Sequence, residues 1–139
     1  MADTLEGLKN YANDIKNSIT EWTNKRQGYL DKAEEIRVVY ERLKGDKDTI
    51  SGYKKDIKKY AKASFEDFVG NNYQYGHKPK MDDLQSSYDT VIEKIDANLD
   101  ALNEEKLRQQ NLASNCLGPL GELGKAWHTV QTKIQNWTT

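Results

Sequence analysis

The 139 residues amount to one domain's worth of chain, and 31% charged against 36% hydrophobic residues is too polar a mixture for a thick globular core. With 21 basic and 22 acidic residues the formal net charge is −1, so the long-range field that steers nucleic-acid binders to phosphate is missing. A single cysteine excludes an internal disulfide and a cysteine-built metal cluster, which leaves a thin helical architecture as the fold these numbers suit.

The chain starts MADTLEGLKNYANDIKNSI, with neither the basic nor the apolar stretch of a secretory leader. No run approaches the ~18 apolar residues of a membrane span. The expectation is a cytoplasmic product without a Sec signal.

In the first arm, residues 4–69, apolar residues fall at Leu5, Leu8, Ala12, Ile15, Ile19, Trp22, Tyr29, Ala33, Ile36, Tyr40 and Leu43, a 3-4-3-4 spacing interrupted only at Arg26. Leu43, Ile50 and Ile57 keep the phase through KGDKD, so the break at Gly45 reads as a local kink or loosened turn; a true loop seldom returns a stripe in register. A period of 3.5 implies coiled-coil-like packing against a neighbouring helix.

The stretch DFVGNNYQYGHKPKMDD holds the turn, residues 70–81. Gly70 can end a helix in the left-handed conformation, Gly76 and Pro79 redirect the chain, and Asp82 or Asp83 caps the returning arm. Tyr73 and Tyr75 supply rigid amphipathic rings to close the tip.

The second arm, residues 82–116, continues a stripe of Met81, Leu84, Tyr88, Val91, Ile95 and Leu102, with polar Asn98 in phase and Leu99 beside it. The stripe thins over NEEKLRQQN and resumes at Leu112 and Cys116. Pro119 then sits in the first turn of a short terminal helix, 119–137, striped by Leu120, Leu123, Trp127, Val130, Ile134 and Trp137.

Arms of about 100 and 84 Å, at ~1.5 Å per residue, joined by one turn predict an all-α, elongated antiparallel helical hairpin in a single helical domain, 1–139. The alternative is a four-helix bundle made by folding back at Gly45 and Pro119. With the turn centred near residue 75, facing positions add to about 150, which places Trp22 near Trp127 and Ile15 near Trp137.

Few residues point to chemistry. YKKDIKKYAK interleaves five lysines with tyrosines, as single-strand nucleic-acid binders do, but the acidic stretch around Asp89 and Asp96 lies opposite, and cross-arm pairing is the plainer account. His77 stands near Asp82 and Asp83 in no recognised metal-ligand spacing, and Cys116 on the apolar stripe reads as a buried thiol. No nucleophile–base grouping or phosphate-cradling glycine loop is present, so the expectation is a non-enzyme with no cofactor and no metal.

What remains is surface. Leu30, Val38, Val39, Phe65, Val69, Ile92, Leu107 and Leu117 flank the stripes, more than two helices can bury, so a partner or a second copy is expected to cover them. Phe65 and Phe68 beside the turn and Trp127 and Trp137 on the last helix are the candidate anchors, because large rings dominate interface energetics.

The turn motif Phe68, Val69, Gly70 resembles the Trp-x-Gly turn of the WXG100-like superfamily of small helical hairpins, with phenylalanine in place of tryptophan. The long charged first helix and the tail LGPLGELGKAWHTVQTKIQNW are similar to the small helical proteins that accompany LXG toxins of Gram-positive bacteria. The resemblance implies a partner: the helical N-terminal region of a larger protein secreted by the type VII system, with a second small helical protein as a further member. The family's Tyr-x-x-x-Asp/Glu export signal is absent, since no tyrosine here has an acid four residues on. That departure favours a cytoplasmic targeting factor or chaperone that delivers the toxin or travels only as part of its complex. The alternative is a self-associating coiled-coil assembly protein of a phage or mobile element.

Overall fold

A computed structural model describes the backbone of residues 4–67 and 78–137, and side chains for 4–60 and 78–137 of these. Three helices make up the described chain: α1 (Leu5–Asp67), α2 (Lys78–Asn115) and α3 (Leu117–Trp137). The fold is an all-α helical hairpin in which α1 packs against the returning chain.

Helix α1 starts where the sequence provides a cap. Thr4 Oγ1 accepts from the Gly7 N–H at 2.9 Å, which satisfies one of the orphan amides of the first turn, and the Thr4 carbonyl takes the Leu8 N–H at 2.9 Å as the first i→i−4 bond. The helix then runs 63 residues, straight through Gly45, whose carbonyl also accepts the Thr49 hydroxyl at 3.1 Å. Helical hydrogen bonding is thus maintained at the position where the bundle alternative needs the chain to fold back.

The inward face of α1 is a continuous heptad seam. The expected stripe is buried or half-buried throughout, and Arg26, Lys47 and Lys54 fill the gaps in it, so that every position at 3-4 spacing from Leu5 to Ile57 is covered. In heptad letters, with Leu5 at a, all three of these cations occupy a positions. Lys47 and Lys54 lay their stems along the seam and send their ammonium ends to acids of α2, whereas Arg26 keeps its Nε buried.

The second seam corrects the sequence reading. Met81, Gln85, Tyr88, Ile92, Ile95, Leu99 and Leu102 point inward, whereas Leu84, Val91 and Asn98 are exposed. Rotating the face by one residue every heptad exchanges Val91 for Ile92 and Asn98 for Leu99, at the expense of Gln85 for Leu84. Burying an amide side chain such as Asn98 without partners would cost more than leaving Leu84 in water. The seam also continues through the polar stretch, by way of Lys106, Gln109 and Ala113.

Both prolines lie inside first turns. Pro79 is the second residue of α2, where the missing N–H is no loss, so it begins the returning helix and does not redirect a turn before it. Asp82 and Asp83 consequently sit within α2 and do not cap it. Between α2 and α3 the only non-helical residue is Cys116, bridged by Cys116 N–H to Ala113 O at 3.1 Å and Leu120 N–H to Cys116 O at 3.2 Å, and Pro119 is the third residue of α3.

The chain forms two compact units, one of Met1–Glu35 with Glu105–Thr139, the other of Ile36–Glu104. The first holds a core of Leu8, Ala12, Ile15 and Val130, against which Ile19, Leu123, Ala126, Trp127 and Ile134 pack. In the second, Ile95 and Leu99 are the buried residues of α2. Here the two cross-helix ion pairs, Lys47 with Asp96 and Lys54 with Asp89, both have residue numbers adding to 143. The register therefore differs from the expected 150 by seven residues, one heptad. In the first unit Trp127 belongs to the Ile15 cluster, and Trp137, expected near Ile15, is 51% exposed.

Candidate partner-binding surface

In the unit of Ile36–Glu104 the two sides of the seam differ in chemistry. One side carries the e column of α2, where Asp89 and Asp96 reach across to the a-position lysines of α1. Lys47 Nζ lies 2.6 Å from Asp96 Oδ1, and the hydrogen bond to that carboxylate raises the lysine pKa against the opposing effect of desolvation. Lys54 donates to Asp89 in the same way one heptad along. The lysine face is thus partly an acid-facing one, as expected, while Lys55, Lys58 and Lys59 stand exposed on other faces of α1.

The other side carries the g columns, which are open and largely apolar but interrupted by Asp46 on α1 and Asn98 on α2. Val39, Tyr53 and Tyr60 of α1 share one column, Leu84 and Val91 of α2 the other, with exposures from 41% at Leu84 to 61% at Tyr60. With numbers adding to 143 across the seam, Tyr53 comes within one residue of the level of Val91 and Tyr60 within one residue of that of Leu84. Toward one end of this side, Val39, Leu43, Asn98, Ala101 and Leu102 line an apolar hollow contributed by both helices. An exposed, largely apolar strip between two helices is a surface against which a further helix can pack.

The unit of Met1–Glu35 with Glu105–Thr139 carries a polar cluster on α2 whose side chains are exposed at Glu105 and Arg108 and buried only at Gln109. Glu105 accepts from Arg108 Nε at 3.0 Å, Arg108 Nη2 at 2.8 Å and Gln109 Nε2 at 2.9 Å. The Arg108 and Gln109 hydrogen bonds pull the Glu105 pKa down to about 2, with Lys32 of α1 adding to the effect. Gln109 is buried, and its Oε1, like Arg26 Nε, has no protein hydrogen-bond partner. Cys116 is buried too, its thiol 3.4 Å from the Leu112 carbonyl, without the exposure that a reactive thiolate requires.

The sequence-derived anchors have different surroundings. Trp127 is half-buried on the Leu8–Val130 cluster, while Trp137 projects from the last turn of α3. Phe65 lies in α1 but its side chain is outside the described residues, as are Phe68, Val69 and Gly70 entirely, together with Tyr73, Tyr75 and His77. The g-side ribbon escaped the sequence reading because Leu84 and Val91 had been placed in the seam. Its signal was present: Tyr53 and Tyr60, like Leu84 and Val91, recur at seven residues beside the stripe.

Among the described residues no group of three His, Cys, Asp or Glu is placed to hold a metal ion, and no helix is long and apolar enough to cross a membrane. Fold and surface together define a helical hairpin that, in its Ile36–Glu104 unit, is charge-paired on one side of the seam and largely apolar on the other. Comparison of the chain with family models, curated proteins and solved structures finds no match.

Proposed function

We propose that the chain is a non-catalytic helical partner, a targeting factor or chaperone, that binds the helical N-terminal region of a larger LXG-type protein secreted by the type VII system. The observation that carries the binding reading is the exposed apolar side of the seam: Val39, Tyr53, Leu84 and Val91 stand in water on a molecule whose polar composition otherwise suits it well to solvent. The toxin assignment rests on the resemblance of the Phe68–Gly70 motif and the C-terminal tail. In this reading the protein acts in the cytoplasm and leaves it only as part of the complex.

Co-expression with the N-terminal region of a neighbouring LXG protein, followed by size exclusion with mass measurement, tests it. A stoichiometric heteromer that forms at micromolar concentration is expected. A stable homo-oligomer that ignores that region, with Tyr53 and Val91 protected from labelling, would replace the proposal with the self-assembling coiled-coil alternative.

A further inference from the structure

Helix α1 is one unbroken element, yet it is packed to different depths in the two units it runs through. In the unit of Met1–Glu35 with Glu105–Thr139 it buries Leu8, Ala12, Ile15 and Ala33 at 3–6% exposure. In the unit of Ile36–Glu104 none of its residues with described side chains is buried, and Ile36, Leu43, Ile50 and Ile57 are only half-buried. We infer that the Ile36–Glu104 unit opens by itself: its stretches of α1 and α2 part reversibly in the folded protein while the other unit stays closed. The parting needs no partner and so stands or falls apart from the proposed function.

Packing, rather than hydrogen bonding or polarity, is what separates the two units. The non-helical Cys116 and the helix-interrupting Pro119 both lie in the better-packed one. Polar residues break both seams, Arg26 and Gln109 in one, Lys47, Lys54 and Gln85 in the other. What differs is how many side chains are shut away from water. The core cluster of Leu8, Ala12, Ile15 and Val130 belongs to the first unit, and Ala113 and Cys116 are buried there as well. In the second, Ile95 and Leu99 alone are buried among the described residues. Hollows open on both flanks of its seam, one lined by Leu43 and Leu102, the other by Tyr40 and Leu99. A side chain beside a hollow has fewer partner atoms to lose, so this seam gives up less when it parts.

Charge does not close the gap. The ion pairs that cross this seam, Lys47 with Asp96 and Lys54 with Asp89, have carboxylates half open to water, and such pairs contribute little. Opening bares Leu43, Ile50, Ile95 and Leu99 together, while the cluster on Leu8 and Val130 holds α1 to α3. The chain thus keeps an apolar face behind a closure weaker than the fold as a whole.

Native-state hydrogen exchange on the full chain, read at single amides by NMR and corrected for intrinsic rates, tests this. Amides of residues 40–57 and 85–102 should be protected at least tenfold less than those of 12–33 and 109–130. Low urea should accelerate the second set more steeply than the first, since global unfolding exposes more surface than the parting of one unit. Ile15→Val, which removes one methylene from the better-packed unit, should lower protection of 12–33 and 109–130 by roughly two- to tenfold and leave 40–57 and 85–102 unchanged. Equal protection of the two sets, or an equal loss in both on Ile15→Val, makes the hairpin one cooperative unit and overturns the inference. Greater protection of 40–57 and 85–102 overturns it too, as would follow if a second copy covered that unit.

Discussion

Tryptophans 127 and 137 occupy equivalent-looking positions in the stripe of the last helix but differ in what they touch, and this separates their effects. Trp127 packs on the cluster of Leu8, Ala12, Ile15 and Val130, whereas Trp137 stands half in solvent at the end of α3. Trp127→Ala is expected to lower the melting temperature clearly, and Trp137→Ala to shift it little, since surface changes stay within about 0.5 kcal/mol. Calorimetry on the two variants checks this; an equal loss would mean that Trp137 is also structural. The acid limb of stability belongs to this scale as well. Glu105 has its pKa depressed to about 2 by the hydrogen bonds from Arg108 and Gln109, so the stability it contributes is present above the ordinary carboxylate range and is lost as the pH falls from there toward 2. Glu105→Gln should flatten that part of a pH–stability profile measured by circular dichroism. An unchanged acid limb would show the carboxylate to titrate normally.

Among the elements, α1 is a long helix carrying glycines within it that nothing in its packing requires. A Cβ built on Gly45 or Gly52 meets nothing within 4 Å, and both residues are exposed in helical conformation. Gly45→Ala and Gly52→Ala should therefore each stabilise the protein by about 0.5–1 kcal/mol, the backbone-entropy difference in a helix interior. Thermal melts decide it, and destabilisation by either would mean that the bend or close approach read into KGDKD is real. Core positions work the other way: Ile15, 3% exposed, should cost about 2–5 kcal/mol on truncation to alanine, while Val39→Ala on the exposed side of the seam should cost little. The elements themselves were largely legible. A 3-4 spacing and Pro119 are local signals, and local hydrogen bonding obeys them. Pro79 was misread as a turn residue because proline is equally at home just before a helix and within its first turn.

At the scale of the molecule the decisive quantity is which residues of the returning chain face α1. With Cys116→Ser as background, cysteines at 47 and 96 should crosslink under mild oxidation, and cysteines at 54 and 96, the pair whose numbers add to 150, should not. The reverse pattern would restore the slipped register. A double-mutant cycle on Lys54 and Asp89 should return a coupling of about 0.2–1 kcal/mol, the range of exposed ion pairs, and none at all if the register is wrong. Far-ultraviolet circular dichroism should show helix without sheet.

By itself the sequence determined the all-helical class and the two seven-residue stripes, because each of these is fixed by side chains a few positions apart on one helix. The exposed apolar side of the seam was only half legible: the excess of apolar residues could be counted from composition, but its location could not. Tertiary structure decided the pairing register and the face that α2 turns inward, and with them that Val91 and Leu84 are outside, Ile92 and Leu99 inside. The reason is that a heptad pattern is unchanged by a slip of seven residues, so periodicity cannot choose between registers. The choice falls to interactions between residues distant in sequence, here Lys47 with Asp96 and Lys54 with Asp89, and to the burial of Leu99 in preference to Asn98.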